Sequence, residues 1–299
     1  MGGAVDRHEE TVSRLAERQG TVVLLGGLDV GKTTIGREVA RAAVEAGRTV
    51  AFVDADIGQS TVGPPSTVGL KLCREPADLE PDRLARADAV YFVGSTSPQG
   101  HLLPLVAGAA VLLRQAHEAG AQLIVLDTSA MVSGVYGQML KFHKLELARP
   151  DVVLGLERGE ELSPIFGIVQ RFFAAEIVSL PVHGNVVARS AEQRAADREE
   201  AMRRYFAEPL QRWRVQPTVF MPAVPALFDL RDLSGMVVGL SDGKGAYLGV
   251  GSLEVDEESV IRLLSPAAEA PKALRLGSLR LVDGYRLRRV DLRSLFGSD

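Results

Sequence analysis

Six short apolar runs recur along the first two thirds of the chain, at 21–27 (TVVLLGG), 49–56 (TVAFVDAD), 89–94 (AVYFVG), 122–128 (QLIVLDT), 151–157 (DVVLGLE) and 176–182 (EIVSLPV). Each is a block of apolar residues without polar alternation, the pattern of strands buried on both faces of a parallel sheet. Helical stretches separate several of them, notably 34–47 and 105–120, and each closes on a glycine suited to a helix C-cap. Alternating strand and helix predicts a doubly wound α/β fold with a mostly parallel sheet. Ahead of the first strand, residues 5–19 predict an exposed amphipathic helix. Beyond Trp213 the texture changes. Pro217, Pro222 and Pro225 form a linker-like stretch, and short strand candidates follow, divided by turn signals such as SDGKG and VDG. The expected division is an N-terminal helix (1–20), an α/β domain (21–212) with a helix at 190–206, and a small β-rich domain (213–299).

Composition narrows the function classes. The 299 residues are 46% hydrophobic and 24% charged, with a net charge of −4 and a pI near 5.8. A bulk electrostatic grip on nucleic acid is therefore not indicated, and any polyanion site must be local. A single cysteine, Cys73, excludes an intrachain disulfide and a multi-cysteine metal site, and the five His show no metal-ligand spacing. Asp6, Glu9, Glu10 and Glu17 leave no apolar signal core at the N-terminus, and no uncharged run approaches the ~20 residues that span a bilayer. The expectation is a cytoplasmic protein with no membrane partner.

Gly26-Gly27-Leu28-Asp29-Val30-Gly31-Lys32-Thr33, followed by Thr34, fits the P-loop pattern. It sits directly after an apolar strand and directly before an amphipathic helix. There, successive backbone N–H groups and the helix N-terminus can cradle phosphates. Lys32 is expected to reach the β- and γ-phosphates, and the Thr33 hydroxyl to bind Mg²⁺. The second strand ends on Asp54 and Asp56, where ligands bind at the carboxyl edge of a parallel sheet. Two residues apart, they are expected to face different ways, one serving Mg²⁺ and the other an acceptor. In the 190–206 helix, Arg194 and Arg198 lie four apart and present two guanidinium groups on one face. They suit a transferring phosphoryl group; interspersed Glu192, Asp197, Glu199 and Glu200 equally suit a salt-bridged surface helix.

Several blocks in order resemble the polynucleotide 5′-hydroxyl kinases of RNA processing, relatives of the pre-mRNA cleavage complex kinase subunit and the ribosomal-RNA-processing kinase. The likeness covers roughly residues 20–210. Its blocks are DADIGQSTVGPPSTVGL (54–70), VGSTSPQGH (93–101), the clasp-like segment 126–157 and the lid-like ARSAEQRAADREEAMRRYF (188–206). The resemblance implies transfer of the γ-phosphate of ATP or GTP, with Mg²⁺, to the 5′-OH end of RNA or DNA. It implies Asp56 as catalytic base, with Lys32, Arg194 and Arg198 as further catalytic groups and Thr33, Asp54 and Asp56 at the metal. Gln59, Thr96, Pro98, His101, Thr128 and Met131 are implied on the acceptor side. One departure stands out. Eukaryotic relatives carry Thr-x-Gly-Trp in the clasp, whereas Thr128-Ser129-Ala130-Met131 stands here, putting acceptor affinity and base preference in question. A small-metabolite kinase, a GTPase-like switch and a nucleotide-binding scaffold of an RNA-processing assembly remain as alternatives. No protein partner can be read from the residues.

Overall fold

The computed structural model describes the backbone of residues 2–297 and the side chains from Arg7 to Gly297; Met1, Ser298, Asp299 and the Asp6 side chain lie outside the described residues. In chain order the N-terminal two thirds form α1 (Gly2–Ala16), β1 (Gly20–Gly26), α2 (Lys32–Glu45), β2 (Val50–Ala55), β3 (Thr67–Cys73), α3 (Pro81–Leu84), β4 (Ala89–Phe92), α4 (Leu102–Glu118), β5 (Leu123–Thr128), α5 (Gly134–Ala148), β6 (Val152–Glu157), α6 (Ser163–Phe172), β7 (Glu176–Pro181) and α7 (Ala191–Phe206). Then come β8 (Gln211–Val215), β9 (Phe220–Met221), β10 (Met236–Ser241), β11 (Tyr247–Val255), β12 (Ile261–Ser265), β13 (Ala273–Val282), β14 (Arg286–Arg289) and α8 (Leu292–Phe296).

Five parallel strands stand in the order β2-β5-β1-β6-β7. The apolar runs form them because strands covered by helices on both faces need no polar side. Val22–Leu25, Val50–Val53, Leu123–Leu126 and Val152–Leu154 are all buried. One face carries α1 and α2, the other α4, α5 and α6. Gly47 and Gly120, just past α2 and α4, have φ of 80° and 77°, the left-handed turn that ends a helix. α1 is less exposed than its composition suggests, since Thr11, Leu15 and Ala16 are buried, with Leu15 and Ala16 in the core on the α2 side of the sheet. The run at 176–182 forms a sheet-edge strand, partly exposed. Among the described residues no helix is long and apolar enough to cross a membrane.

Two features lie beyond the mostly parallel sheet expected from the sequence. Residues 67–73, read from sequence only as part of a motif, form β3, antiparallel to β2, and β4 pairs antiparallel with β3. The C-terminal strands then continue the same sheet: Tyr247 on β11 pairs with Val90 on β4, giving the order β14-β13-β10-β11-β4-β3-β2. These strands carry a core of their own, built on Met236, Val238, Leu240, Leu253, Leu263 and Leu276, against which Trp213 packs.

Phe92 joins the two parts. It is fully buried with Val237, Val250 and Leu279 from the C-terminal strands. Gly239 and Gly277 are glycine because the ring lies on their backbone: a Cβ would come within 2.4 Å and 2.8 Å of it. Phe92→Ala should therefore lower stability by about 3–5 kcal/mol, read from urea unfolding, with the C-terminal strands loosening first. A loss under ~1 kcal/mol would show that the ring does not couple the two cores.

Candidate active site

The P-loop is built as an anion cradle. Gly31 caps α2 with φ of 91°, no side chain caps the helix, and its first turn carries no acidic residue, so the leading N–H groups face the loop unmet. Lys32 is 8% exposed and donates to the Gly27 carbonyl at 2.7 Å, an internal partner that a phosphate can replace. The loop apex is held from β6: Arg158 donates to the carbonyls of Leu28 (3.3 Å) and Asp29 (2.8 Å). A cavity of about 890 Å³ opens over the loop, lined by residues 28–34 and by Asp56, Gln59, Ala130 and Arg189. Val12 of α1, Val186 and Val187 form an apolar part of its wall, Val186 beside Gly31 of the loop.

Strand order decides which carboxylate meets the P-loop. β5, not β2, lies beside β1, and its last acid, Asp127, accepts a hydrogen bond from the Thr33 hydroxyl at 2.5 Å. The other Asp127 oxygen, Oδ1, is buried without a partner. Asp54 stands in register with Asp127 and is buried too. Its oxygens accept from the Asp56 N–H (2.9 Å), the Thr61 N–H (2.6 Å) and hydroxyl (2.8 Å), and the Val62 N–H (3.2 Å). Asp54 thus shapes the 56–62 loop and is not brought to the cavity. Residues two apart on an extended strand share a face. Asp56 differs from Asp54 because β2 ends at Ala55 and the chain turns. Asp56 lines the cavity, and its Oδ1 accepts from the Gly58 N–H at 3.1 Å.

Beneath these acids α5 inserts two buried lysines. Lys141 donates to the Thr128 hydroxyl at 2.7 Å and the Ser129 carbonyl at 2.5 Å; Lys144 donates to the Ala55 carbonyl at 3.1 Å. They pin the ends of β5 and β2. Burial, then the charges of Asp127 and Asp56, raises the Asp54 carboxyl to about 7. Burial likewise raises Asp127, against the pull of Lys32. Lys144 is lowered to about 8 by burial, opposed by the three carboxylates, and Lys141 is driven well down by burial and by Lys144.

The lid bridges the two halves of the site. Ser190 caps α7 by accepting from the Gln193 N–H at 3.2 Å. Arg194 donates to Asp29 at 3.0 Å, Gln59 donates to the Arg194 carbonyl at 3.3 Å, and Arg198, half-buried, reaches the Gly58 carbonyl at 3.5 Å. Both arginines therefore bind residues at the cavity rim without lining it. The far end of α7 is anchored on the C-terminal strands, where the Tyr205 hydroxyl exchanges hydrogen bonds with the Val250 backbone at 3.2 and 3.0 Å. Gln59 lines the cavity, with its Oε1 buried and unpartnered.

Other acceptor-side expectations move. Thr128 is fully buried and donates to the Leu24 carbonyl at 2.6 Å, so its hydroxyl is spent inside the fold. Met131 packs on the core, and Ala130 takes the cavity wall instead. His101 bonds Ser278 at 3.0 Å and Gln99 at 3.2 Å, tying its loop to β13. The Thr96 carbonyl lies where a Cβ on Gly58 would be 3.0 Å away, so that loop abuts the acidic one, while Pro98 is partly exposed beyond it. Sequence reasoning missed Asp127, Lys141, Lys144 and Arg189. For Asp127 the signal was present, an acid closing an apolar strand; the lysines look like ordinary helix-surface residues until the helix is placed.

A P-loop on the central strand, an acid on the adjacent strand bonded to its threonine, and a helical lid define a P-loop nucleotide-binding protein of the phosphotransferase kind. The chain belongs to the family described as mRNA cleavage and polyadenylation factor CLP1 P-loop, which matches residues 26–208. A polyribonucleotide 5′-hydroxyl-kinase of Pyrococcus furiosus is 28% identical, the match covering 93% of each chain. One of Methanocaldococcus jannaschii is 32% identical over 62% of this chain and 50% of its own. The rat polyribonucleotide 5′-hydroxyl-kinase Clp1 is 30% identical over 68% of this chain and 49% of its own. Among solved structures, the wild-type Clp1p–Pcf11p complex aligns with TM-score 0.71 at 16% identity, over 93% of this chain and 78% of that one, a likeness of fold.

The two acids of the 54–56 pair should separate in their effects on stability. All four partners of Asp54 donate, so Asn in its place turns an NH₂ toward donors; Asp54→Asn should lose about 2–3 kcal/mol. Asp56→Asn should stay within roughly 1 kcal/mol of the parent. Thermal unfolding of both variants checks this, and equal losses would contradict the division.

Proposed function

We propose that the chain transfers the γ-phosphate of ATP to the 5′-hydroxyl end of an RNA strand. One observation carries the reading: Asp56, a lightly bonded carboxylate, faces the same cavity as the P-loop, under a lid that bridges the two. The activity for which the relatives are named agrees with it. Mg²⁺ fits the site, since the Thr33 hydroxyl and the buried, unpartnered Asp127 Oδ1 are oxygen donors suited to it. When bound there, it neutralises charge on the β- and γ-phosphates.

The residues then divide the work. Lys32 exchanges the Gly27 carbonyl for the phosphates, which lie on the first turn of α2, and the wall of Val12, Val186 and Val187 receives the nucleoside. Asp56 accepts the proton of the 5′-hydroxyl as that oxygen bonds to the γ-phosphorus and the bond to the β–γ bridging oxygen breaks, releasing ADP. Arg194 and Arg198 meet the charge on the transferring group. Positioning and electrostatic stabilisation carry most of the rate. GTP remains an alternative donor, DNA an alternative acceptor, and a cytoplasmic setting goes with substrates of this kind.

The test is a panel with labelled ATP: 5′-OH RNA, 5′-OH DNA, nucleosides and small polyols, with wild type and Asp56→Asn. Label should appear on oligonucleotides alone. Asp56→Asn should lose about two orders of magnitude or more in kcat with little change in KM for ATP. Label on nucleosides or polyols instead would point to a metabolite kinase. Full activity in Asp56→Asn would remove it as the base.

A further inference from the structure

The P-loop gives one side chain to the lid. Asp29 stands at the loop apex with φ of 49°, a left-handed conformation that Asp, Asn and Gly tolerate best. Its carboxylate is 6% exposed. Oδ1 accepts from Arg189 Nε at 3.1 Å; Oδ2 accepts from the Arg189 N–H at 3.1 Å and from Arg194 Nη1 at 3.0 Å. Although burial raises its pKa, the Arg189 and Arg194 contacts hold it below the usual carboxylate range. Arg189 is steadied in turn by Asp197 at 3.0 Å. Arg194 Nη1 also donates to the Arg189 carbonyl at 2.5 Å, so both of its described hydrogen bonds use one nitrogen. The rest of the guanidinium fork keeps its donors.

We infer that Asp29 is a positioning residue for phosphoryl transfer: a carboxylate built into the phosphate-binding loop that fixes where Arg189 and Arg194 of the lid stand. The inference rests on the kinase reading above. An arginine on a helix free to swing would meet any oxygen of a triphosphate, ground state included, and would add little to the rate. Anchored through one nitrogen, it offers its remaining donors from a fixed place, and the loop that orients the phosphates also orients the cation that meets them. Such preorganisation lowers the barrier because no group has to be gathered as charge redistributes. The Arg158 bonds to the carbonyls of Leu28 and Asp29 make the anchor rigid from the other side.

A purely conformational role for Asp29 gives a different result. If it only shapes the turn, glycine should serve as well, because φ near 49° costs glycine nothing. Full-length Asp29→Asn and Asp29→Gly are compared with wild type, with melting temperatures to verify folding. Both should lose roughly tenfold or more in kcat with KM for ATP changed less than about threefold. Arg194→Ala, costly in the wild type, should cost at most about threefold more on Asp29→Asn, since its anchor is already gone. Hydrogen exchange across 189–196 in nucleotide-free protein should be faster in both variants. Wild-type kcat in Asp29→Gly, losses that multiply in the double variant, or unchanged exchange would each overturn the proposal. If wild type labelled no acceptor at all, the kinase reading would fall and the catalytic role with it; the exchange rates would separately show whether Asp29 holds the lid.

Discussion

Charge is buried at the carboxyl edge of the sheet, and the surrounding structure answers to that constraint. Asp54 and Asp127 stand in register within the protein interior, where an isolated ion costs several kcal/mol. Each is made tenable differently. Asp54 is wrapped by four donors of the loop it organises, while Asp127 is met by Thr33 and by the field of Lys32. Lys141 and Lys144, themselves buried, fasten the two strand ends to α5. With Asp54 and the lysines committed to structure, Asp56 is the acid of this sheet-edge group that lines the cavity.

The same constraint explains what could be read from sequence. Apolar runs and the glycine-rich turn are local signals, so the strands, the P-loop and the doubly wound plan were legible residue by residue. Strand order is not local. Nothing in 49–56 and 122–128 says that the later strand inserts between β1 and β2, so the sequence pointed to Asp54 and Asp56 beside Thr33, whereas Asp127 is the acid that bonds the Thr33 hydroxyl. β3 was hidden because its residues follow a run of polar and proline positions that read as a loop. Thr128, Met131 and His101 were placed on the acceptor by resemblance, yet each is engaged within the protein, by Leu24 and Lys141, by the core, and by Ser278. A motif fixes where a segment lies more surely than where its side chains point.

The C-terminal strands acquire a purpose from this geometry. They extend the sheet through β4, hold the 93–101 loop through Ser278 and Gly94, and anchor α7 through Tyr205 and the Phe206–Tyr285 stack. The lid is thus tied at its far end to the C-terminal strands and at its near end to Asp29. Arg275 serves the fold as well: it donates to the Phe92 carbonyl at 3.0 Å and to the Tyr247 hydroxyl at 3.2 Å, tying β13 to β4 and β11.

The charge assembled around the P-loop and Asp56 serves transfer to a nucleic-acid end rather than hydrolysis or switching. The most direct measurement counts products: ADP released and 5′-phosphate formed on a 5′-OH oligoribonucleotide, in one reaction with Mg²⁺ and ATP. One terminal phosphate per ADP, with ADP formation dependent on the oligonucleotide, is what transfer predicts. ADP accumulating at the same rate without the oligonucleotide, or with its 5′ end left as a hydroxyl, would contradict it.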